Sequence, residues 1–212
     1  MQEGCVAKMA DDLYIGGDTP ENALNNRCRV LVALQKNNLR LSAAKTIICP
    51  RSTTVLGWTW HDGTLSASPY KVASLSAVEP PSTAQALRSF VGAYKVLSRV
   101  LHGYADLLDP LDMATAGKAS CEKIVWSDEL LHAFKSAQNA LKNCKTIVIP
   151  RPDNVLWIIT DVFVKNKGIA ATLYAHRDGI LRLAGFFNAK LRKHQVTWLP
   201  CEVEALCIGA AI

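Results

Sequence analysis

The chain has 212 residues, 50% hydrophobic and 20% charged, with a net charge of +6, so it has the length and apolar content to bury a core as one large domain or two small ones. No run of 18 apolar residues and no basic-then-apolar leader is present, which predicts a soluble, intracellular product without a membrane-spanning helix. Seven cysteines (5, 28, 49, 121, 144, 201 and 207) stand singly without C-x-x-C spacing, which argues against a disulfide framework or zinc knuckle, and the positive charge permits a polyanionic partner without requiring one.

Two adjacent carboxylates, Asp11 and Asp12, sit inside the β-leaning run Cys5 to Ile15, which breaks at Gly16-Gly17. Paired carboxylates in apolar surroundings repel and are costly to bury, so they mark either a polar hairpin turn between two short strands or a site neutralised by divalent cations. Asp18 or Thr19 is then positioned to cap a helix with Pro20 and Glu21 in its first turn, a stripe of Leu24, Cys28, Leu31 and Leu34, and an end at Asn37-Asn38. Strand-like runs follow at Thr46 to Cys49 and Thr54 to Trp60, separated by Pro50, and His61-Asp62-Gly63-Thr64 reads as a turn leading to Leu65. A short helix is expected after Pro69, carrying Lys71, Val72, Leu75 and Val78, before the stiff Pro80-Pro81 break.

Ser82-Thr83-Ala84-Gln85 has the pattern of a capping box, and Leu87, Phe90, Val91, Tyr94, Leu97 and Leu101 recur behind it at helical spacing. The opposite face places Arg88, Lys95 and Arg99 in one row, which suits either a solvated face or a ridge that follows a nucleic-acid backbone. Ser127 caps a further helix with Asp128 and Glu129 in its first turn and Leu130, Phe134, Ala137 and Leu141 as its stripe. Past Pro150-Arg151-Pro152 the period becomes that of strands: a buried strand over Val155 to Thr160, another over Ile169 to Tyr174, a turn at Arg177-Asp178-Gly179 and a third strand over Ile180 to Phe187. They feed a terminal helix whose Leu206, Cys207 and Ala210 are expected to pack on the sheet. Asp161 at the end of the first strand and Glu204 on that helix are either surface carboxylates or a pair able to share a divalent ion. The last helix stops mid-pattern without a cap, so the chain reads as a piece of a longer polypeptide.

From Met9 onward these pieces resemble the pol polyprotein of LTR retrotransposons of the gypsy or BEL/Pao kind. Met9-Ala10-Asp11-Asp12 resembles the aromatic-x-Asp-Asp polymerase motif, with Met9 in place of the aromatic residue. Leu39 to Lys45 is similar to the next motif, which ends in lysine, and Val55-Leu56-Gly57-Trp58 resembles the primer-grip hairpin. Leu87 to Tyr94 resembles the thumb and Asp109-Pro110-Leu111 its exit. Trp126 to Leu141, Thr160-Asp161, Gly168-Ile169, Lys190-Leu191 and Glu202 to Leu206 follow the order of the start of an RNase H-like module, with Val162-Phe163 where small residues are usual. All of these pieces in the family's order are much harder to obtain by accident than any one of them.

The resemblance implies an α/β (α+β) fold in four parts: a partial palm over 1–66, a helical thumb over 67–112, a connection over 113–150 and the N-terminal half of an RNase H-like mixed sheet over 151–212. It implies RNA-directed DNA polymerase and ribonuclease H chemistry with Mg2+ or Mn2+. Asp11, Asp12, Asp161 and Glu204 would be catalytic metal ligands, Lys45 would lie near the triphosphate, and Leu56, Gly57 and Trp58 would hold the primer. Arg88, Lys95 and Arg99 would meet nucleic acid. The implied partners are primer-template, RNA-DNA hybrid, deoxynucleoside triphosphates and the rest of the pol polyprotein, without a membrane. The implied location is the cytoplasm, in a virus-like particle, or the nucleus. Because the remaining carboxylates of both sites lie outside this sequence, the chain alone is expected neither to polymerise nor to cleave. The alternative is a non-catalytic retroelement remnant that at most binds nucleic acid.

Overall fold

A computed structural model describes residues 5–163 and 167–212. They divide after Pro50 into two compact units. The first contains the hairpin β1 (Val6–Met9) and β2 (Asp12–Ile15), followed by α1 (Pro20–Lys36). Thr19 is the cap, its hydroxyl accepting from the Asn22 amide at 3.1 Å, with Pro20 in the first turn where its missing N–H costs nothing. The helix docks on the hairpin through Asn26 and Val30, and Asn26 donates to the Gly16 carbonyl at 2.9 Å. The expected stripe is therefore corrected: Leu24, Cys28 and Leu31 are exposed, and only Leu34 is half-buried. A helix with apolar residues on more than one side buries only the side that meets a neighbour, and within this unit α1 meets β2.

The strand expected at Thr46 to Cys49 does not form. Ser42–Thr46 winds into a single tight turn, the Thr46 hydroxyl and the Lys45 amide both bonding the Ser42 carbonyl, and Cys49 takes a left-handed φ of 45°. Apolar residues without a strand to pair with have no ladder to join.

The second unit begins with a meander, β3 (Ser52–Val55), β4 (Trp58–His61) and β5 (Thr64–Ala67), so the run Thr54 to Trp60 is two strands rather than one. Its turns, Leu56-Gly57 and Asp62-Gly63, have positive φ at both residues, which matches the twist of a two-residue hairpin. Four helices follow: α2 (Pro69–Ser76), α3 (Ala84–Lys95), α4 (Tyr104–Thr115) and α5 (Asp128–Ala140). The cap of α3 is Thr83, not Ser82, its hydroxyl accepting from the Ala86 amide. The amides of Ala84 and Gln85 find the carbonyls of Glu122 and Ser120, so the expected box is replaced by a neighbouring segment. Asp109-Pro110-Leu111, expected as an exit, lies inside α4, where packing against α3 and α5 outweighs the lost hydrogen bond at Pro110.

A short strand, β6 (Ile147–Val148), returns to pair with β5 and completes the order β3-β4-β5-β6. The final region is an antiparallel sheet, β7 (Val155–Phe163), β8 (Gly168–Arg177) and β9 (Ile180–Lys190), with α6 (Pro200–Ala211) packed on β7 and β8. Here β7 corrects the expectation of a buried strand: it is an edge strand, with Trp157 56% exposed and Ile159 57% exposed. The helix α6 docks through Val203 and Cys207, whereas Ala210 faces solvent.

One apolar core joins α2–α5, β5 and β6 and reaches Leu183 of β9. Its centre is Tyr94, fully buried, with its phenol donating to the Ala137 carbonyl of α5 at 3.0 Å. Phe90 lies between Tyr94 and Phe134, and Phe134 also meets Trp126 edge-on. Burial, and secondarily the nearby Cys144, push the Tyr94 phenol well above its ordinary value. The folded chain then holds a proton that the unfolded chain releases, so this contribution is complete below about pH 10 and is lost as pH rises further. Tyr94→Phe should cost about 1 kcal/mol at neutral pH and flatten the alkaline decline in urea-denaturation midpoint. An equally steep decline in the variant would assign it to other groups.

Candidate active-site carboxylates and nucleic-acid-binding cations

The structure places Asp11 in a strand-connecting bend. Met9 and Asp12 are the last paired residues of the β1–β2 hairpin, Ala10 and Asp11 form its two-residue loop, and Ala10 takes a φ of 49°. Both carboxylates are exposed, so neither carries a burial penalty, and the polar-turn reading explains their survival in a β-leaning run. The bend also holds two hard oxygen donors side by side at an accessible tip. Lys45 lies in the same unit, exposed at the end of the 43–45 turn.

The turn Leu56-Gly57 is held from beneath. The Gly57 carbonyl accepts from the Ser68 amide at 2.9 Å, and buried Ser68 in turn caps α2 by accepting from the Lys71 amide. A Cβ on Gly57 would meet the Lys71 side chain at 3.3 Å while φ stands at +82°, so both space and backbone favour glycine. Leu56 projects into solvent, and Trp58 packs against the core.

The expected row of three cations is corrected: α3 ends at Lys95, so only Arg88 and Lys95 share the helix, and both are occupied. The Arg88 guanidinium donates to the carbonyls of Thr115 at 2.7 Å and Lys118 at 2.6 Å, satisfying the last carbonyl of α4 and one in the segment after it. Lys95 pairs with Asp112 at 2.8 Å in an exposed contact. Arg99 stands in the short turn after α3, exposed and without a side-chain partner among the described residues.

Asp161 and Glu204 lie on elements that touch. The Cys207 thiol donates to the carbonyls of Asp161 and Ala170 at 3.7 and 3.2 Å, pinning α6 to β7 and β8, and Glu204 sits three residues earlier on the exposed part of that helix. Burial pushes the Cys207 thiol up, which keeps it a protonated donor. One Asp161 carboxylate oxygen accepts from the Val162 amide at 2.9 Å. Among the described residues no three His, Cys, Asp or Glu side chains gather closely enough to surround an ion. The carboxylates thus fit a divalent cation as oxygen donors, but neither pair makes a full coordination shell.

On the other side of this sheet, the start of α4 is clamped to β9. Asn188 accepts from the Gly103 amide and the Tyr104 hydroxyl, and Lys190 pairs with Asp106 at 2.6 Å and with Asp109 at 3.7 Å. Three further arginines, Arg151, Arg177 and Arg182, line one cleft. Their positions in sequence give no sign of this, since strand pairing alone brings them together. Among the described residues, no helix is long and apolar enough to cross a membrane.

This combination of hairpin, meander, four-helix core and three-stranded sheet with a docked helix is an α/β fold of the reverse-transcriptase type. The foamy viral protease-reverse transcriptase solved with double-stranded DNA superposes with a TM-score of 0.79 over 97% of this chain and 42% of that one, at 15% identity. The same protein solved with an RNA/DNA hybrid also gives 0.79. Residues 126–212 match the RNase H-like domain found in reverse transcriptase. The chain is similar in sequence to retroelement Pol polyproteins. It is 29% identical over 148 residues to the Gag-Pol polyprotein of avian reticuloendotheliosis virus, covering 70% of this chain and 13% of that protein. It is 24% identical to the Pol polyprotein of feline endogenous virus ECE1 over 94% of this chain and 18% of the relative. For the Pol polyprotein of the Drosophila melanogaster transposon opus the identity is 23%, over 93% and 20%. The chain therefore spans a fifth or less of the length of these relatives.

Replacing Arg88 with Ala should lower stability by about 1–3 kcal/mol, because two carbonyls lose a charged donor. Arg99→Ala, which removes no side-chain contact among the described residues, should leave stability unchanged. Urea denaturation of both variants decides the point, and an unchanged midpoint in Arg88→Ala would return that residue to the solvated face.

Proposed function

We propose that this chain works as part of a retroelement reverse transcriptase, contributing to RNA-directed DNA synthesis and to hydrolysis of RNA in RNA-DNA hybrids. The observation that supports this most strongly is the exposed Asp pair at the bend of a two-stranded hairpin in a chain whose residues 126–212 match the RNase H-like domain of reverse transcriptase. Asp11 and Asp12 donate carboxylate oxygens at the polymerase site, and the bend keeps both accessible. Lys45 offers a cation to the triphosphate. The Leu56-Gly57 turn, fixed on Ser68, presents backbone and a leucine side chain to the primer end, and Trp58 anchors it to the core. In the RNase H-like region Asp161 and Glu204 donate oxygens near the RNA strand, whose 2′-hydroxyl distinguishes it from DNA. When bound, Mg2+ or Mn2+ supplies Lewis-acid activation of the attacking hydroxyl or water. Primer-template, hybrid and deoxynucleoside triphosphates are the ligands this reading assigns, and the rest of the pol polyprotein supplies the other metal ligands.

A second reading, a non-catalytic nucleic-acid-binding module, is favoured by the lack of any three-donor cluster among the described residues. The two separate in a Mn2+ titration of the 15N-labelled chain. The polymerase and RNase H reading predicts paramagnetic broadening confined to the surroundings of residues 10–13 and of Asp161 and Glu204, with the first set lost in D11N/D12N. Broadening that avoids both sets would leave only the binding module.

A further inference from the structure

The cleft lined by Arg151, Arg177 and Arg182 has a volume of about 320 Å3 and lies between the β4–β5 turn and the β8–β9 turn. Its floor is set by strand pairing: Ile149 donates its amide to the Gly63 carbonyl at 2.9 Å, extending the β5–β6 ladder. Arg151 projects from a turn that is locked twice, its amide donating to the Asn154 side-chain oxygen at 3.0 Å and the Asn154 amide donating back to the Arg151 carbonyl at 3.0 Å. Prolines at 150 and 152 restrict the backbone on both sides. The Arg151 guanidinium lies 4.0 Å from where a Cβ on Gly63 would stand, an ordinary contact distance, so it sits over the turn. Arg182 comes from β9, where it pairs with Ala175.

The charges of the cleft are unevenly used. Arg177 is shared between Asp153 and Asp178, each at 3.4 Å, and serves to fasten the β8–β9 turn to the 151–154 turn. Asp62 has His61 as its neighbour at 3.6 Å. Arg151 and Arg182 have no ion pair among the described residues, and both are exposed. Arg151 and Arg182 each present a guanidinium fork, which binds the oxygens of a phosphate through two parallel hydrogen bonds, so the pair can meet two phosphates of one strand. The cleft is open and its arginines are solvated, so it lacks the enclosure that would hold a small free anion. It suits a phosphate that arrives as part of a strand, with many other contacts.

We propose that Arg151 and Arg182 form a phosphodiester-binding site for a nucleic-acid strand, in addition to the residues named under the proposed function. This rests on the nucleic-acid reading given under the proposed function. The probe is a fluorescently labelled RNA-DNA hybrid, titrated with the full chain across a salt series. R151Q/R182Q should make the slope of log K against log salt shallower by roughly 2, at about 0.9 per phosphate contact, while circular dichroism and the melting temperature stay at the wild-type values. R151K/R182K should restore the slope and recover affinity only in part, because lysine keeps the charge and loses the fork. Millimolar inorganic phosphate should displace the hybrid from the wild type no better than an equal ionic strength of chloride. A wild-type slope in R151Q/R182Q overturns the site while leaving the nucleic-acid reading intact. Specific displacement by phosphate, abolished in that variant, replaces the strand with a free anion and overturns it also. Failure of the wild-type chain to bind hybrid at all removes the broader reading, and the site with it.

Discussion

The buried phenol of Tyr94, bonded to the Ala137 carbonyl, is the contact on which the larger unit depends. It fixes the axial position of α3 against α5, and the Phe90–Phe134–Trp126 stack fills the space around it. A tyrosine in such a place is unforgiving: its ring must be enclosed and its hydroxyl must also be satisfied, so only one arrangement of the two helices serves both needs. From this centre the core extends through Leu75 to α2, through Leu65 and Ile147 to the β5–β6 pair, and to Leu183 of the last sheet.

The polar features with functional interest hang on that apolar frame. The Leu56-Gly57 turn is held by Ser68 at the start of α2, and the arginine cleft is held by the pairing of β5 with β6 and of β8 with β9. The sheet carrying Asp161 is fastened to α4 by Asn188 and Lys190 and to α6 by the Cys207 thiol. Groups that are to meet a ligand have to hold their places. Short hairpin turns on a packed base achieve this with few residues.

What was legible in the sequence was what neighbouring residues decide among themselves. The α3 stripe, the Ser127 cap, and the Asp62-Gly63 and Asp178-Gly179 turns follow from helical spacing and from backbone conformations that glycine permits. The Asp11 bend belongs with them, since the turn is only two residues long. What depends on distant partners was not legible. The apolar run at Thr46–Cys49 had no strand beside it, and the apolar β7 lies at an edge. Arg88 reads as a surface cation until the last residue of α4 and the segment after it each bring a carbonyl to it. The grouping of Arg151 with Arg182 is likewise a product of sheet pairing, invisible in any local pattern. The order of the motifs carried the family likeness further than any one motif, because each is short while their sequence along the chain is long.

Hydrogen exchange on the intact chain, followed residue by residue, tests the central role of the Tyr94 core most directly. If that core holds the second unit together, the amides of α3 and α5 around Tyr94 and Ala137 exchange slowest, and only through global opening. Those of the exposed edge β7 exchange faster through local opening. Exchange of the α3 amides at the rate of β7 would contradict it.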